Sequence, residues 1–111
     1  MSYDVSFRAK LEGLNKYVVV GDDWINHTSN TAGMIEAVCG GTRPSIWNRT
    51  KCSYLAPILS KGIAILKSNP EKYRVYEPEN KWGTVESTIK FLEDIHRNCI
   101  EFPTAVVEVS W

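Results

Sequence analysis

The strongest constraint in this sequence is a strict alternation of apolar and polar residues near its start. Apolar Tyr3, Val5, Phe7, Ala9 and Leu11 alternate with polar Asp4, Ser6, Arg8, Lys10 and Glu12. A period of two places one face of a strand on a core and the other face in water. A similar alternation recurs from Thr104 to Trp111. Both segments are therefore predicted to be strands of one sheet.

The segments between them predict one more strand and three helices. Tyr17 to Val20 is a β-branched run that follows a turn at Gly13 to Lys16. Apolar residues at helical spacing predict three helices. The first is short and runs from Asn30 or Thr31 to Val38, and the second runs from Lys51 to Ser68. The third begins after Thr84, which can cap it, and ends at Phe102-Pro103. The order β-β-α-α-α-β predicts an α+β fold. We expect a small antiparallel sheet, made of an N-terminal hairpin and a C-terminal strand, covered on one face by about three α-helices.

Composition restricts the class of protein. The 111 residues carry 13 Lys plus Arg against 13 Asp plus Glu, and 43% are apolar, which predicts a single domain over residues 1–111. The balanced charge argues against non-specific nucleic-acid binding. No apolar run is long enough to span a bilayer and no secretion leader is visible, so a cytoplasmic location is predicted. Three widely spaced cysteines indicate reduced thiols instead of a disulfide framework or zinc site.

Two connections, Gly21 to Ser29 and Pro70 to Gly83, are too rich in aromatic and amide residues to be flexible linkers. The first holds Trp24, Asn26, His27 and Thr28, and Asn30 follows it at the start of a predicted helix. Trp24 can stack on a planar ring, Asn26 or Asn30 can bind its edge, and the helix start can hold a phosphate. Capping of the helix and packing of the tryptophan explain the same residues without any ligand.

The second connection offers three further candidates, Tyr76, Asn80 and Trp82. Together with nearby lysine and arginine side chains they can contact an anionic ligand that carries a ring, or a partner protein. Turn chemistry is again the alternative, since asparagine and glycine are common turn residues.

Catalytic and metal-binding motifs are weak. The two histidines, His27 and His96, do not form a metal-ligating spacing with each other, and no Cys-x-x-Cys pair occurs, so neither a metal nor a cofactor is predicted. A small phosphodiesterase with His27 as general acid or base beside Asp22 or Asp23 stays open as an alternative. It requires His27 to lie within hydrogen-bond distance of a second reactive group.

Several motifs together resemble a known family. They are the start Met1-Ser2-Tyr3-Asp4-Val5, the segment Asn26-His27-Thr28-Ser29-Asn30, the Pro57-containing helix, the turn Pro78-Glu79-Asn80-Lys81-Trp82-Gly83 and the closing Val107-Glu108-Val109-Ser110. This pattern resembles small uncharacterised proteins encoded by bacteriophages and prophages, and the likeness extends over nearly the whole chain. The resemblance implies a phage or mobile-element origin, with the host cytoplasm as location, more firmly than it implies a reaction.

Small phage accessory proteins act mostly by binding, so binding is favoured over catalysis. The ligand would be a nucleotide-like signalling molecule, or the partner a host defence protein. The expected ligand-binding residues are Trp24, Asn26, His27, Thr28, Asn30, Tyr76, Asn80 and Trp82. A third interpretation is a protein interaction module without a small-molecule site. In that case the strand Tyr17 to Val20 can add to a partner's sheet or form a homo-oligomer.

Overall fold

A three-stranded antiparallel sheet forms one layer of the protein. The computed structural model describes residues 2–13 and 15–111. The strands are β1 (Ser2–Lys10), β2 (Tyr17–Thr28) and β3 (Val106–Ser110), in the spatial order β2-β1-β3. The predicted hairpin and C-terminal strand are thus confirmed. Leu14, in the predicted turn, and Met1, in the opening motif, lie outside the described residues.

The period of two in β1 sets the two faces of the sheet. Val5 pairs with Ile25 and Val109, and Phe7 pairs with Val20 and Val107, all on the inner face. Val5, Phe7 and Val107 have no exposed surface. The alternate residues Asp4, Ser6, Arg8 and Glu108 lie on the outer face, which no helix of residues 2–13 and 15–111 covers.

Four helices form the second layer. They are α1 (Ala32–Val38), α2 (Cys52–Ser68), α3 (Pro70–Tyr73, a single turn) and α4 (Val85–Glu101), with short 3-10 segments at Ser29–Thr31, Pro44–Trp47 and Arg74–Tyr76. The Thr84 side chain accepts a hydrogen bond from the Ser87 amide, and Ser87 returns one to the Thr84 amide. This capping box starts α4 where the sequence predicts. The α+β fold, with helices on one face of a small sheet, is confirmed.

The core lies between the sheet and the helices. The largest fully buried side chains come from every layer: Phe7 and Val107 from the sheet, Met34 and Ile35 from α1, Leu55 and Leu59 from α2, and Leu92 and Ile95 from α4. The apolar stripes predicted on α2 and α4 therefore do form the core face. Cys39, Cys52 and Cys99 are buried free thiols, as predicted.

The two predicted connections were assigned incorrectly in part. β2 continues to Thr28, so most of Gly21 to Ser29 is strand. Pro70 to Gly83 includes α3 and a 3-10 turn. The strand was missed because its alternation is interrupted: Val20 pairs with Phe7 and Ile25 pairs with Val5, so four residues of β2 lie opposite Ser6 alone. We call Gly21–Trp24 the β2 bulge.

The outer side of β3 is extended by a short segment, residues 48–51. The Arg49 amide donates to the Val107 carbonyl at 2.7 Å, and the Val107 amide donates to the Thr50 carbonyl at 2.8 Å. The Asn48 side chain accepts from the Val109 amide at 3.0 Å. β2 forms the opposite edge of the sheet. No helix in the described part of the chain is long and apolar enough to cross a membrane.

Candidate functional site

The structure distributes the predicted site residues over three places. Trp24 and Asn26 belong to β2 and are exposed, with Asn26 on the outer face of the sheet. His27 lies on the inner face, opposite Tyr3. Thr28, Asn30, Tyr76, Asn80 and Trp82 lie around the start of α1 and in the connection before α4.

His27 is a packed residue. Its ring stacks on Phe91 with centroids 4.8 Å apart, and only 8% of its surface is exposed. The Nε2 atom lies 3.4 Å from the Thr88 hydroxyl. Burial lowers the pKa of His27 to about 4, so the ring is neutral at pH 7. Among the described residues, this hydroxyl is the one side chain within hydrogen-bond distance of His27, and no carboxylate forms a hydrogen bond with the ring.

Asp22, one of the two acidic residues suggested as a partner for His27, is used elsewhere. The Asp22 carboxylate accepts hydrogen bonds from Asn98, at 2.9 Å, and from Arg97. Both hydrogen bonds lower the pKa of Asp22, and the one from Asn98 has the larger effect. Within residues 2–13 and 15–111, no three His, Cys, Asp or Glu side chains converge on a point where a metal ion could bind.

Thr28 and Asn30 make the local contacts of a helix start. The Thr28 hydroxyl accepts from the Asn30 amide at 3.2 Å, and the Thr28 carbonyl accepts from the Thr31 hydroxyl at 3.3 Å. A 3-10 turn precedes α1, which has only seven residues. The Thr28 side chain and carbonyl are therefore used in capping.

The two connections do meet in space. Gly83 has a φ of +108°, and a Cβ there would lie 2.5 Å from the Thr31 methyl and 2.8 Å from the Thr28 methyl. Tyr76 packs over Gly33, where a Cβ would be 3.4 Å from its ring. These contacts are apolar packing, and they bring the two connections together.

Asn80 and Trp82 form the turn before α4. The Asn80 side-chain oxygen accepts from the Trp82 amide at 2.9 Å, which is the ordinary role of asparagine in a turn. The Trp82 ring is 69% exposed. None of four clefts found along the described chain is lined by Trp82, Tyr76 or Asn80.

The β2 bulge is attached to α4 through Asn98, a residue that sequence reasoning missed. Asn98 is 2% exposed and accepts from the Asp22 amide at 2.8 Å while donating to the Asp94 carbonyl at 2.7 Å. Gly21, at a φ of +64°, must be glycine because a Cβ would overlap the Asn98 side-chain oxygen. An asparagine on the apolar stripe of α4, three residues after Ile95, was the available signal.

Two residues after this attachment, Trp24 has an unusual conformation. Its φ is +59°, a left-handed value that a bulky residue seldom adopts. Its ring is 65% exposed. Bulges commonly redirect a side chain, and here the redirected side chain is the tryptophan predicted to stack on a ligand.

Trp24 lines a cleft of about 340 Å³ on the outer face, which we call the open-face cleft. Residues of all three strands and of the segment before α2 line it: Asp4, Ser6, Arg8, Val19, Asp23, Trp24, Asn48, Arg49, Glu108, Val109 and Ser110. Asn26 donates to the Asp4 carboxylate at 2.9 Å and so holds it at the rim of this cleft. A second cleft of about 460 Å³ shares Arg8, Arg49 and Glu108 with it.

The charges of the open-face cleft are only partly compensated. Arg8 is paired with Glu108. In the described residues Arg49 takes part in no ion pair, and its φ of +68° is again left-handed. The cleft therefore combines one exposed indole, the guanidinium of Arg49, the amide of Asn48 and the carboxylates of Asp4 and Asp23, which also take part in no ion pair among the described residues. Sequence reasoning did not single out Arg49, because nothing in the local pattern relates it to Trp24.

Comparisons of the chain with protein-family models, with curated proteins and with solved structures found no match.

Proposed function

We propose that this protein acts by binding and that it captures a nucleotide-like ligand in the open-face cleft. In this proposal it is an accessory protein of phage or mobile-element type that withdraws a signalling nucleotide from its receptor. Trp24 keeps the role that the sequence suggests, which is to stack on the ring of the ligand. Asn26 acts indirectly, because it holds the Asp4 carboxylate at the rim of the cleft. His27, Thr28, Asn30, Tyr76, Asn80 and Trp82 support the fold around the site.

The observation that carries the proposal is the conformation of Trp24. A left-handed backbone at a bulky residue costs on the order of 1–3 kcal/mol and persists only where surrounding contacts impose it. Here Asp22, two residues before Trp24, is held by Asn98 and Arg97 of α4. The ring is 65% exposed, so burial returns little of that cost. A ligand that stacks on the indole would supply the favourable contact that the protein itself does not provide.

The chemistry of the cleft selects a ligand with a ring and an anionic group. The Trp24 indole offers an aromatic surface of the kind on which nucleobases stack, a contact worth about 1–3 kcal/mol per base. Arg49 presents a planar guanidinium that can bind a phosphate through two hydrogen bonds. The Asp4 and Asp23 carboxylates can accept hydrogen bonds from the exocyclic amine of a purine. At about 340 Å³ the cleft is within the size range of small-molecule sites.

Calorimetric titration and thermal shift test this proposal with three probes: purine nucleoside monophosphates, cyclic nucleotides and ADP-ribose. We expect at least one probe to bind saturably and to raise the melting temperature. Trp24→Ala should abolish the effect. Arg49→Gln should lower the affinity for a nucleotide about tenfold or more, and should leave the weak binding of the corresponding nucleoside unchanged.

Trp82→Ala is the matched control, because Trp82 is another exposed tryptophan but lies outside the cleft. Binding that is equally weakened by Trp24→Ala and Trp82→Ala would contradict the proposal. Absence of binding by all three probes would also contradict it. In that case the host-protein alternative would be examined next, with Trp24→Ala as the negative control in capture experiments.

A further inference from the structure

The two edges of the sheet differ in whether another segment of the chain pairs with them. Along β3, residues 48–51 occupy the outer edge with hydrogen bonds to the Val107 amide and carbonyl. Along the Tyr17–Val20 part of β2, no segment of residues 2–13 or 15–111 other than β1 makes a backbone hydrogen bond. One edge of the sheet is thus covered and the other is bare.

The bare edge carries a regular set of free backbone groups. The Leu11 amide donates to the Lys16 carbonyl at 3.3 Å, so the next pair, Lys10 with Tyr17, is of the non-hydrogen-bonded kind. In an antiparallel ladder the two kinds alternate, so Arg8 with Val19 is non-hydrogen-bonded as well. The amide and carbonyl groups of Tyr17 and Val19 therefore point away from β1, toward solvent.

The side chains on this edge do not protect it. Natural edge strands usually carry lysine, proline or a bulge that prevents pairing with another chain, and here Lys16 and the β2 bulge flank the segment Tyr17–Val20 without entering it. Tyr17–Val20 is an aromatic residue followed by three valines, with no charge and no proline. Tyr17 and Val19 are 54% and 44% exposed, and both lie on the outer face. The segment has the composition of an interface strand.

We propose that a second copy of this chain covers this edge, through antiparallel pairing of Tyr17–Val20 about a two-fold axis at Val19. In this register Val19 pairs with the partner's Val19, and Val18 pairs with the partner's Val20. The regular pairing ends on both sides where the β2 bulge of one copy begins, at Gly21. The two three-stranded sheets become one sheet of six strands.

The choice of register follows from the faces of the sheet. Directly opposed residues in an antiparallel pair point to the same face, so an axis at Val19 keeps Tyr17 and Val19 of both copies on the outer face. Both helical layers then lie on the opposite face, where each already covers its own half. An axis between Val18 and Val19 would instead place the helices of the two copies on opposite faces, against the apolar alternation of the strand.

Light scattering of the protein, over a dilution series reaching on the order of 100 µM, tests the proposal. We expect a dimer. Val19→Lys places a charge at the centre of the interface, and Val19→Pro removes an outward-pointing amide without removing a bond to β1. Both should convert the dimer to a monomer. Val75→Lys is the matched control, because Val75 is 81% exposed and lies in the 3-10 turn Arg74–Tyr76, outside the sheet, and this variant should remain dimeric.

Crosslinking gives a second readout that does not depend on the stability of these variants. Val19→Cys brings two thiols together on the axis, where facing Cα atoms about 5.5 Å apart permit a disulfide. Mild oxidation should therefore yield a covalent dimer of Val19→Cys but not of Val75→Cys. A wild-type monomer throughout the series would overturn the proposal. So would a dimer that survives both substitutions of Val19, or one in which Val19→Cys does not crosslink.

Discussion

Replacing Trp24 with glycine and with alanine tests whether its backbone is strained. Both variants lack the indole, so they differ only in the Cβ at a φ of +59°. A Cβ in the left-handed region costs about 1–2 kcal/mol. Glycine loses about 0.4–1 kcal/mol more in unfolded-state entropy than alanine. We expect Trp24→Gly to be more stable than Trp24→Ala by about 0.5–1 kcal/mol.

Trp82 is the control site, because its ring is similarly exposed and its φ is not left-handed. There the entropic difference acts alone, so Trp82→Ala should be more stable than Trp82→Gly by about 0.4–1 kcal/mol. Urea denaturation of the four variants measures the two differences. The sign should reverse between the sites. If alanine is at least as stable as glycine at position 24, the strain argument is wrong, and with it the observation that carries the proposed function.

Three further predictions concern the residues around the site. Because burial holds the pKa of His27 at about 4 while the unfolded value is 6.5, the neutral ring stabilises the fold above pH 6.5. About 3 kcal/mol should be lost between pH 6.5 and 4 relative to His27→Phe, and identical pH profiles in urea denaturation would contradict this. Gly83→Ala should cost about 2 kcal/mol or more, because its Cβ would overlap the Thr31 methyl, whereas Gly13→Ala should cost only about 1 kcal/mol, since nothing lies within 4 Å of its Cβ. Equal losses for the two alanines in denaturation experiments would show that the contact is unimportant. Asn98→Ala should destabilise by about 2–3 kcal/mol, measured in urea, and should weaken ligand binding at Trp24 beyond what a remote core change of equal cost does.

The fold was largely predictable because its elements follow their periods. The alternation of β1 is regular, the stripes of α2 and α4 are mostly apolar, and Thr84 begins α4 where a capping residue was expected. β2 was recognised only to Val20, because the bulge changes which residues face inward. Val18 and Val20 are inward before it, whereas Ile25 and His27 are inward after it. A single period cannot fit both halves.

The candidate site was less predictable because it depends on contacts distant in sequence. Trp24 was selected for its chemistry, but its neighbour Arg49 is placed by pairing with Val107. His27 was a reasonable ligand candidate until the ring of Phe91, from α4, was found stacked on it. Such contacts arise from tertiary packing, and local patterns do not contain them.

The position of β1 between its two neighbours has a consequence for how the chain folds. β1 and β2 form a local hairpin, but β3 joins β1 through residues as far apart in sequence as Arg8 and Glu108, 100 positions. Closing so long a loop is slow, because its entropy is lost before the contacts compensate. Until β3 docks, β1 exposes an unpaired apolar edge. We therefore expect aggregation to begin from this intermediate, and refolding yield to fall with protein concentration even where the native protein is stable.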